Sequence, residues 1–151
     1  MILISHRGNI NGSREDLENK PEYVDYAISI GYDVEVDVWY IDGVLWLGHD
    51  KPEYNVDFTW FIDRVTKLWI HCKNIDSLLF FKTNQHEFNY FWHETDTITL
   101  TSYNHIWAYP GKQPIKNSIA VMPEINNDIL TICIGICSDK ISDYNDKNNN
   151  F

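Results

Sequence analysis

The sequence predicts a single α/β domain built around a parallel sheet. Three observations lead there. Strand-like and helix-like segments alternate through the first half of the chain, the pattern of successive βα units. Residues 32–39, YDVEVDVW, alternate apolar and acidic side chains without a break, which is a strand period and not a helical one. The run at 131–137, TICIGIC, is apolar throughout, as expected of a strand covered on both faces. A chain of 151 residues suits one domain with a substantial core. The domain is expected over residues 1–145, and the low-complexity tail 146–151 is expected to fray.

Taken in order, Ile2–Ser5 reads as a buried strand and the polar, Gly-containing stretch 9–19 as a loop. Pro21–Ile30 places Tyr23, Ala27 and Ile30 at helical spacing, with Pro21 in the first turn and Gly31 as the stop. The strand over 32–39 turns back at Asp42-Gly43 into a short strand, Val44–Leu47. A helix is expected over Phe58–Thr66, a strand over Leu68–Lys73, and a helix over Ile75–Lys82 with Asn74 as its cap. Strand-like pieces follow at Phe88–Trp92, Thr97–Thr101 and Ser118–Met122, with 131–137 last.

The composition limits what the chain can do. A net charge of −10 argues against a general basic face for nucleic acid. An acidic chain that handles an anion needs local positive charge or a metal. Cys72, Cys133 and Cys137 are an odd set, with Cys133 and Cys137 inside an apolar run. They read as reduced and buried, and a structural zinc is disfavoured because no second Cys or His pair stands at ligand spacing. No apolar run approaches the ~20 residues that span a bilayer. The N-terminus lacks the basic start of a signal peptide, so the cytoplasm is the expected compartment.

In folds of this class, sites form at the carboxyl ends of the strands. His6, Glu35, Asp37, His71 and Lys73 each fall at or near such an end, and His49 follows the hairpin strand. Glu35 and Asp37 are two apart on one strand and point the same way. Two adjacent carboxylates suit a hard divalent cation, although taken alone the pair fits a solvated strand face better. His6 and His49 lie beside Arg7 and Asp50 and are candidate proton-transfer groups. Arg7 and Lys73 are candidate phosphate partners, and Gly8 lets the backbone approach a ligand.

The motifs HRG (6–8), EN (18–19), EVD (35–37), DG (42–43) and HD (49–50), in this order and spacing, resemble the glycerophosphodiester phosphodiesterase family. The resemblance is dense over the first third of the chain and thinner through IHCK (70–73). It implies a TIM-type fold and metal-dependent hydrolysis of a glycerophosphodiester. It also implies His6 and His49 as the acid/base pair, Glu35 and Asp37 as metal ligands, Arg7 and Lys73 as phosphate-binding residues, and Asn19 as an orienting group. The metal expected is Mg²⁺ or Ca²⁺.

Two departures stand out. Where the family carries a further carboxylate ligand, this chain has His71, which would favour Mn²⁺ or Zn²⁺. Glu124 in VMPE is the alternative third ligand, or simply an acidic residue at a helix start. A (β/α) barrel typically needs about 250 residues, so a trimmed or incomplete barrel is expected, with late helices reduced to loops. The late aromatics, Phe88, Tyr90, Phe91, Trp92, Tyr103, Trp107 and Tyr109, would then cover bare sheet or form a homodimer contact. The segment 99–111 is expected to be a pocket-shaping loop, with Trp107 or Tyr109 against a glycerol or sugar. The partner is thus a small-molecule phosphodiester. The rival readings are phospholipase-type cleavage of a lipid headgroup, which the acidic balance opposes, and a non-catalytic phosphate or sugar-phosphate binding module.

Overall fold

The structure is a computed structural model that describes residues 1–84 and 86–145. The expectation of a frayed tail at 146–151 lies outside the described residues. Among the described residues, ten strands, three α-helices and two 3₁₀ turns follow in order: β1 Ile2–His6, α1 Pro21–Ser29, β2 Asp33–Ile41, β3 Val44–Leu47, β4 Tyr54–Val56, α2 Phe58–Ile62, β5 Leu68–Cys72, α3 Ile75–Thr83, β6 Asn89–Phe91, β7 Ile98–Leu100, β8 Ile106–Ala108, β9 Ser118–Val121 and β10 Gly135–Ser138. The 3₁₀ turns are Pro123–Ile125 and Ile141–Tyr144.

The expected trimmed or incomplete TIM-like (β/α) barrel does not form. The chain folds into a curled mixed sheet, a half-barrel with few helices. The reason lies in the connections. A (β/α) barrel sets a helix after every strand, but here all three α-helices precede β6. The segments after β6 are short and polar, or contain Pro and Gly, and β3, β4 and β7 pair antiparallel. A parallel path nevertheless runs β6–β5–β2–β1–β10–β9–β8. Its curl brings Phe91 of β6 and Trp69 of β5 against Trp107 of β8, with ring centroids 4.8 and 5.7 Å apart. The outer edge of β6 is also engaged: Ser102 N–H donates to the Tyr90 carbonyl and Tyr90 N–H to Ser102 Oγ.

The alternation on β2 sorts the two faces. Val34, Val36 and Val38 point to the convex side, where they pack with Ile70, Cys72, Phe61 and Phe81 beneath the helices. Ile4, Trp69, Phe91, Trp107, Ile119, Val121 and Cys137 fill the concave side. The late aromatics divide between the two sides, because neighbours on a strand point opposite ways: Phe88 joins the convex core, Phe91 and Trp107 the concave one. All three cysteines are free and buried. Among the described residues no helix is long and apolar enough to cross a membrane.

Several boundaries move. The helix expected to Thr66 ends at Ile62, because the Arg64 guanidinium donates to the Trp60 carbonyl and forks onto Asp25. The last strand begins at Gly135 and not at Thr131. A Cβ at Gly135 would crowd Ile119 and Ile2, the neighbours on either side. β8 occupies part of the stretch expected to be a loop at 99–111, and β4 was not foreseen. The Asn74 cap forms as expected: its Oδ1 accepts from Ser77 N–H at 3.0 Å, and its amide is also bonded to the Tyr40 backbone. The cap thus stitches α3 to β2 and contributes about 1 kcal/mol.

Gly48, which launches the loop carrying His49, has φ +147°, and a Cβ there would fall inside the contact shell of the Lys51 carbonyl oxygen. Gly48→Ala should therefore destabilise the fold by more than about 1 kcal/mol, read as a lowered midpoint in urea. A midpoint equal to wild type would mean that the loop relaxes freely.

Candidate active site

Parallel pairing sets the site. His6 pairs with Glu35 in register, and Asp37 with His71. The carboxyl ends of β1, β2 and β5 thereby bring these side chains together at the concave rim. A cleft of about 390 Å³ opens there, lined among others by His6, Arg7, Glu35, His49, His71, Lys73, His93, Trp107 and Tyr109.

Glu35 and Asp37 are not on a solvated strand face. They are 2% and 0% exposed. Asp37 is surrounded by donors. Asn19 grips it twice, with Nδ2 donating to Oδ2 at 2.9 Å and Oδ1 accepting the Asp37 N–H at 2.9 Å. Arg7 Nε stands 3.0 Å from Oδ2, His49 Nδ1 3.3 Å from Oδ2, His71 Nδ1 3.0 Å from Oδ1 and Lys73 Nζ 3.5 Å from Oδ1. Burial opposes the charge, but the hydrogen bonds from His49 and His71 and the Arg7 guanidinium hold this carboxyl well below the usual range. Glu35 is the opposite case. Burial and the Asp37 charge push its carboxyl up, and its buried Oε2 has no hydrogen-bond partner. The two carboxylates share one environment, and Asp37 has taken the cations.

Glu35, Asp37 and His71 each offer a ligand atom, and these atoms lie within 4.8 Å of one another. The His71 Nδ1–Asp37 Oδ1 separation of 3.0 Å matches two adjacent ligands on an ion bound at about 2.1 Å. The orphaned Glu35 oxygen supplies the third direction. Four carboxylates (Glu18, Glu35, Asp37, Asp139) also face two fixed cations, Arg7 and Lys73. The donor set therefore fits a divalent cation, with a nitrogen ligand that Mn²⁺ or Zn²⁺ tolerates.

Of the two alternatives for the third ligand, His71 stands with the carboxylates and Glu124 does not. The Glu124 carboxylate accepts from Ser138 Oγ at 2.6 Å and from Tyr144 OH at 3.0 Å, which ties it down outside the group. Asn19 orients Asp37, as expected of a supporting residue. Asp50 lies 3.5 Å from His49 Nε2 with its side chain 92% exposed, so it shields little. Arg7 reaches the cleft, but its guanidinium is already engaged: Nη1 donates to Glu18 at 3.0 Å and Nη2 to His49 Nδ1 at 2.7 Å. Lys73 is the less committed cation.

Asp139 and His93 escaped the sequence reading, and Glu18, quoted there only as part of the EN motif, was given no role. Asp139 follows β10 and accepts from His6 Nδ1 at 2.8 Å. Its position just past an apolar strand was the available signal. Glu18 anchors Arg7, Asn9 and Ser13. His93 follows β6, stacks on the His71 ring at 4.3 Å and hydrogen-bonds Tyr109. Burial and the neighbouring His71 lower the His93 imidazole to about 4, so it is neutral at pH 7 and adds no charge beside His71. Trp107 is buried at the floor of the cleft and Tyr109 lies on its wall. Compared with protein-family models, curated proteins and solved structures, the chain matches none.

Titrated with Mn²⁺ or Mg²⁺ in a calorimeter, the wild-type chain should bind one ion. Glu35→Gln, Asp37→Asn and His71→Ala should each weaken binding at least about tenfold, the scale expected for losing a coordinating group. Glu124→Gln should leave it unchanged. Equal affinities in wild type and Glu35→Gln would remove Glu35 from the ligand set.

Proposed function

We propose that this chain hydrolyses a phosphodiester with the help of a divalent cation, and that its substrate is a glycerophosphodiester. The reading is carried by one observation: two imidazoles and a lysine share one cleft with a buried Glu–Asp–His group. Isolated histidines and acidic strand faces are common, but this grouping draws on three strands and two loops. The motif resemblance over the first third of the chain supports the same chemistry.

Glu35, Asp37 and His71 would hold the cation, which supplies Lewis-acid polarisation of the phosphate and a lowered pKa for the attacking hydroxyl or water. The chain's own groups do the rest. One imidazole accepts the proton of the attacking hydroxyl, and the other protonates the departing alkoxide oxygen. Lys73, with Arg7 behind it, takes up charge on the phosphoryl oxygens. Asn19 keeps Asp37 in place. Trp107 and Tyr109 offer an apolar and a hydroxyl surface to the alcohol portion of the substrate, and their rings make the cleft partly water-excluding.

Hydrolysis of bis(p-nitrophenyl) phosphate and of glycerophosphodiesters, with Mg²⁺, Mn²⁺ or Ca²⁺ and with a chelator control, tests the proposal. Turnover should require the ion. His6→Ala and His49→Ala should each lower kcat by about 10²–10⁴-fold. His49 is the more exposed of the two, so His49→Ala should change stability by no more than about 1 kcal/mol, whereas His6→Ala also breaks the part-buried bond to Asp139 and should cost more. Phosphate binding without any turnover would assign the chain to a non-catalytic phosphate-binding role instead.

A further inference from the structure

We propose that Asp139 is a positioning residue for His6: it holds the imidazole proton on Nδ1 and leaves Nε2 as the nitrogen that addresses the cleft. The catalytic consequence rests on the phosphodiesterase reading above. The hydrogen-bond assignment stands on geometry alone.

An ionised carboxylate only accepts hydrogen bonds. His6 Nδ1 lies 2.8 Å from Asp139 Oδ1, so Nδ1 is the donor. The acceptor is itself fixed. Asn9 Nδ2 donates to the same oxygen at 2.8 Å, while Asn9 Oδ1 accepts the Arg14 N–H at 3.0 Å, which sets the direction of that amide. The backbone at Asp139 is pinned as well, because its carbonyl accepts Gly12 N–H at 2.8 Å. His6 ends β1 and Asp139 follows β10, and these strands pair directly, with Ser5 opposite Ser138. The two side chains therefore meet as a consequence of strand register. On the far side of the ring, Nε2 stands 3.8 Å from Glu35 Oε2, beyond hydrogen-bond reach. It is free to accept a proton.

His49 has no such single partner. Its Nδ1 lies 2.7 Å from Arg7 Nη2 and 3.3 Å from Asp37 Oδ2, and its Nε2 3.3 Å from Arg7 Nη2 and 3.5 Å from Asp50 Oδ1, so its surroundings select neither tautomer. In the step that the His6 tautomer implies, His6 Nε2 takes the proton of the attacking O–H as the new O–P bond forms. His49, the second imidazole, protonates the leaving oxygen as the old P–O bond breaks, and exchange with water resets both rings.

The test uses full-length protein with ¹⁵N-labelled imidazoles, at a pH where the ring of His6 is neutral. The wild-type spectrum should show His6 protonated at Nδ1 and bare at Nε2. A wild-type ring protonated at Nε2 would overturn the proposal without any variant. Asp139→Ala should move the proton to Nε2 and lower kcat about 10²-fold with KM unchanged, as expected for a group acting only in the transition state. Asp139→Asn should rescue both, because Asn9 still donates to Oδ1 and keeps an oxygen facing His6. A merely structural Asp139 would change stability but not the tautomer, and that result also overturns the proposal. If the tautomer moves and kcat does not, the assigned use of His6 fails while the hydrogen bond stands. If no phosphodiester is turned over by the wild type, the functional reading fails and the spectra alone judge Asp139.

Discussion

Asp37 is an ionised carboxylate with no exposed surface, and most of the polar architecture follows from the need to keep it charged. Stripping one partner from a buried charge typically costs about 3–5 kcal/mol, so its partners are held as firmly as the carboxylate. Each comes from a different part of the chain. Arg7 and Asn19 both adopt the left-handed backbone conformation, φ 55° and 62°, and the Asn19 N–H donates to the Arg7 carbonyl. The bond closes the β1–α1 loop into a cup around Asp37. The hairpin brings His49, whose loop is anchored by Gly48 N–H to the Asp37 carbonyl. β5 brings His71 and Lys73. Backbone strain at Arg7 and Asn19 is thus offset at one side chain, by the Arg7 ion pair and the two Asn19 hydrogen bonds.

Glu35, two residues earlier on the same strand, receives none of this support from Asn19 or Lys73. That asymmetry sets the pair apart from a fully satisfied buried ion-pair network. One carboxylate is satisfied internally and orients its surroundings, while the other keeps an oxygen available. The concave core beneath them sharpens the effect. Ile4, Cys137, Val121 and Trp107 fill the space under the polar layer, and charges above an apolar floor interact more strongly than in open water. The His71 ring lies parallel to both Phe91 and His93, which also lie parallel to each other, and these contacts limit its freedom to turn away from Asp37.

Much of the first half was legible in the residues. The alternation over 32–39 identified β2, and its period put Glu35 and Asp37 on one face. The same period on 68–73 put His71 and Lys73 together, and the register bears that out, with Asp37 beside His71. Pro21, Gly31 and Asn74 marked helix ends by mechanisms confined to a few neighbouring residues, so local sequence sufficed. β6 and β7 fall inside the strand-like stretches expected at 88–92 and 97–101. β4 and β8 were not legible: with three residues each they are too short for a period to emerge, and they exist because a partner strand supplies their hydrogen bonds.

By itself, then, the sequence determined the elements whose signal is local: one strongly alternating strand, capped helices, and chemistry-bearing residues at strand ends. Only the tertiary structure decided whether the sheet closed and what the acidic face met. Curl and strand order depend on connections and long-range pairing, and here they produce a half-barrel. Burial of Glu35 and Asp37 depends on β1, β5 and the loops folding over them, which no pattern within β2 encodes. The same holds for Asp139, 133 positions from His6 yet adjacent to it, because β1 pairs with β10. Glu124, equally plausible as a ligand in the linear chain, is held by Ser138 and Tyr144, neighbours that it acquires only once the fold exists.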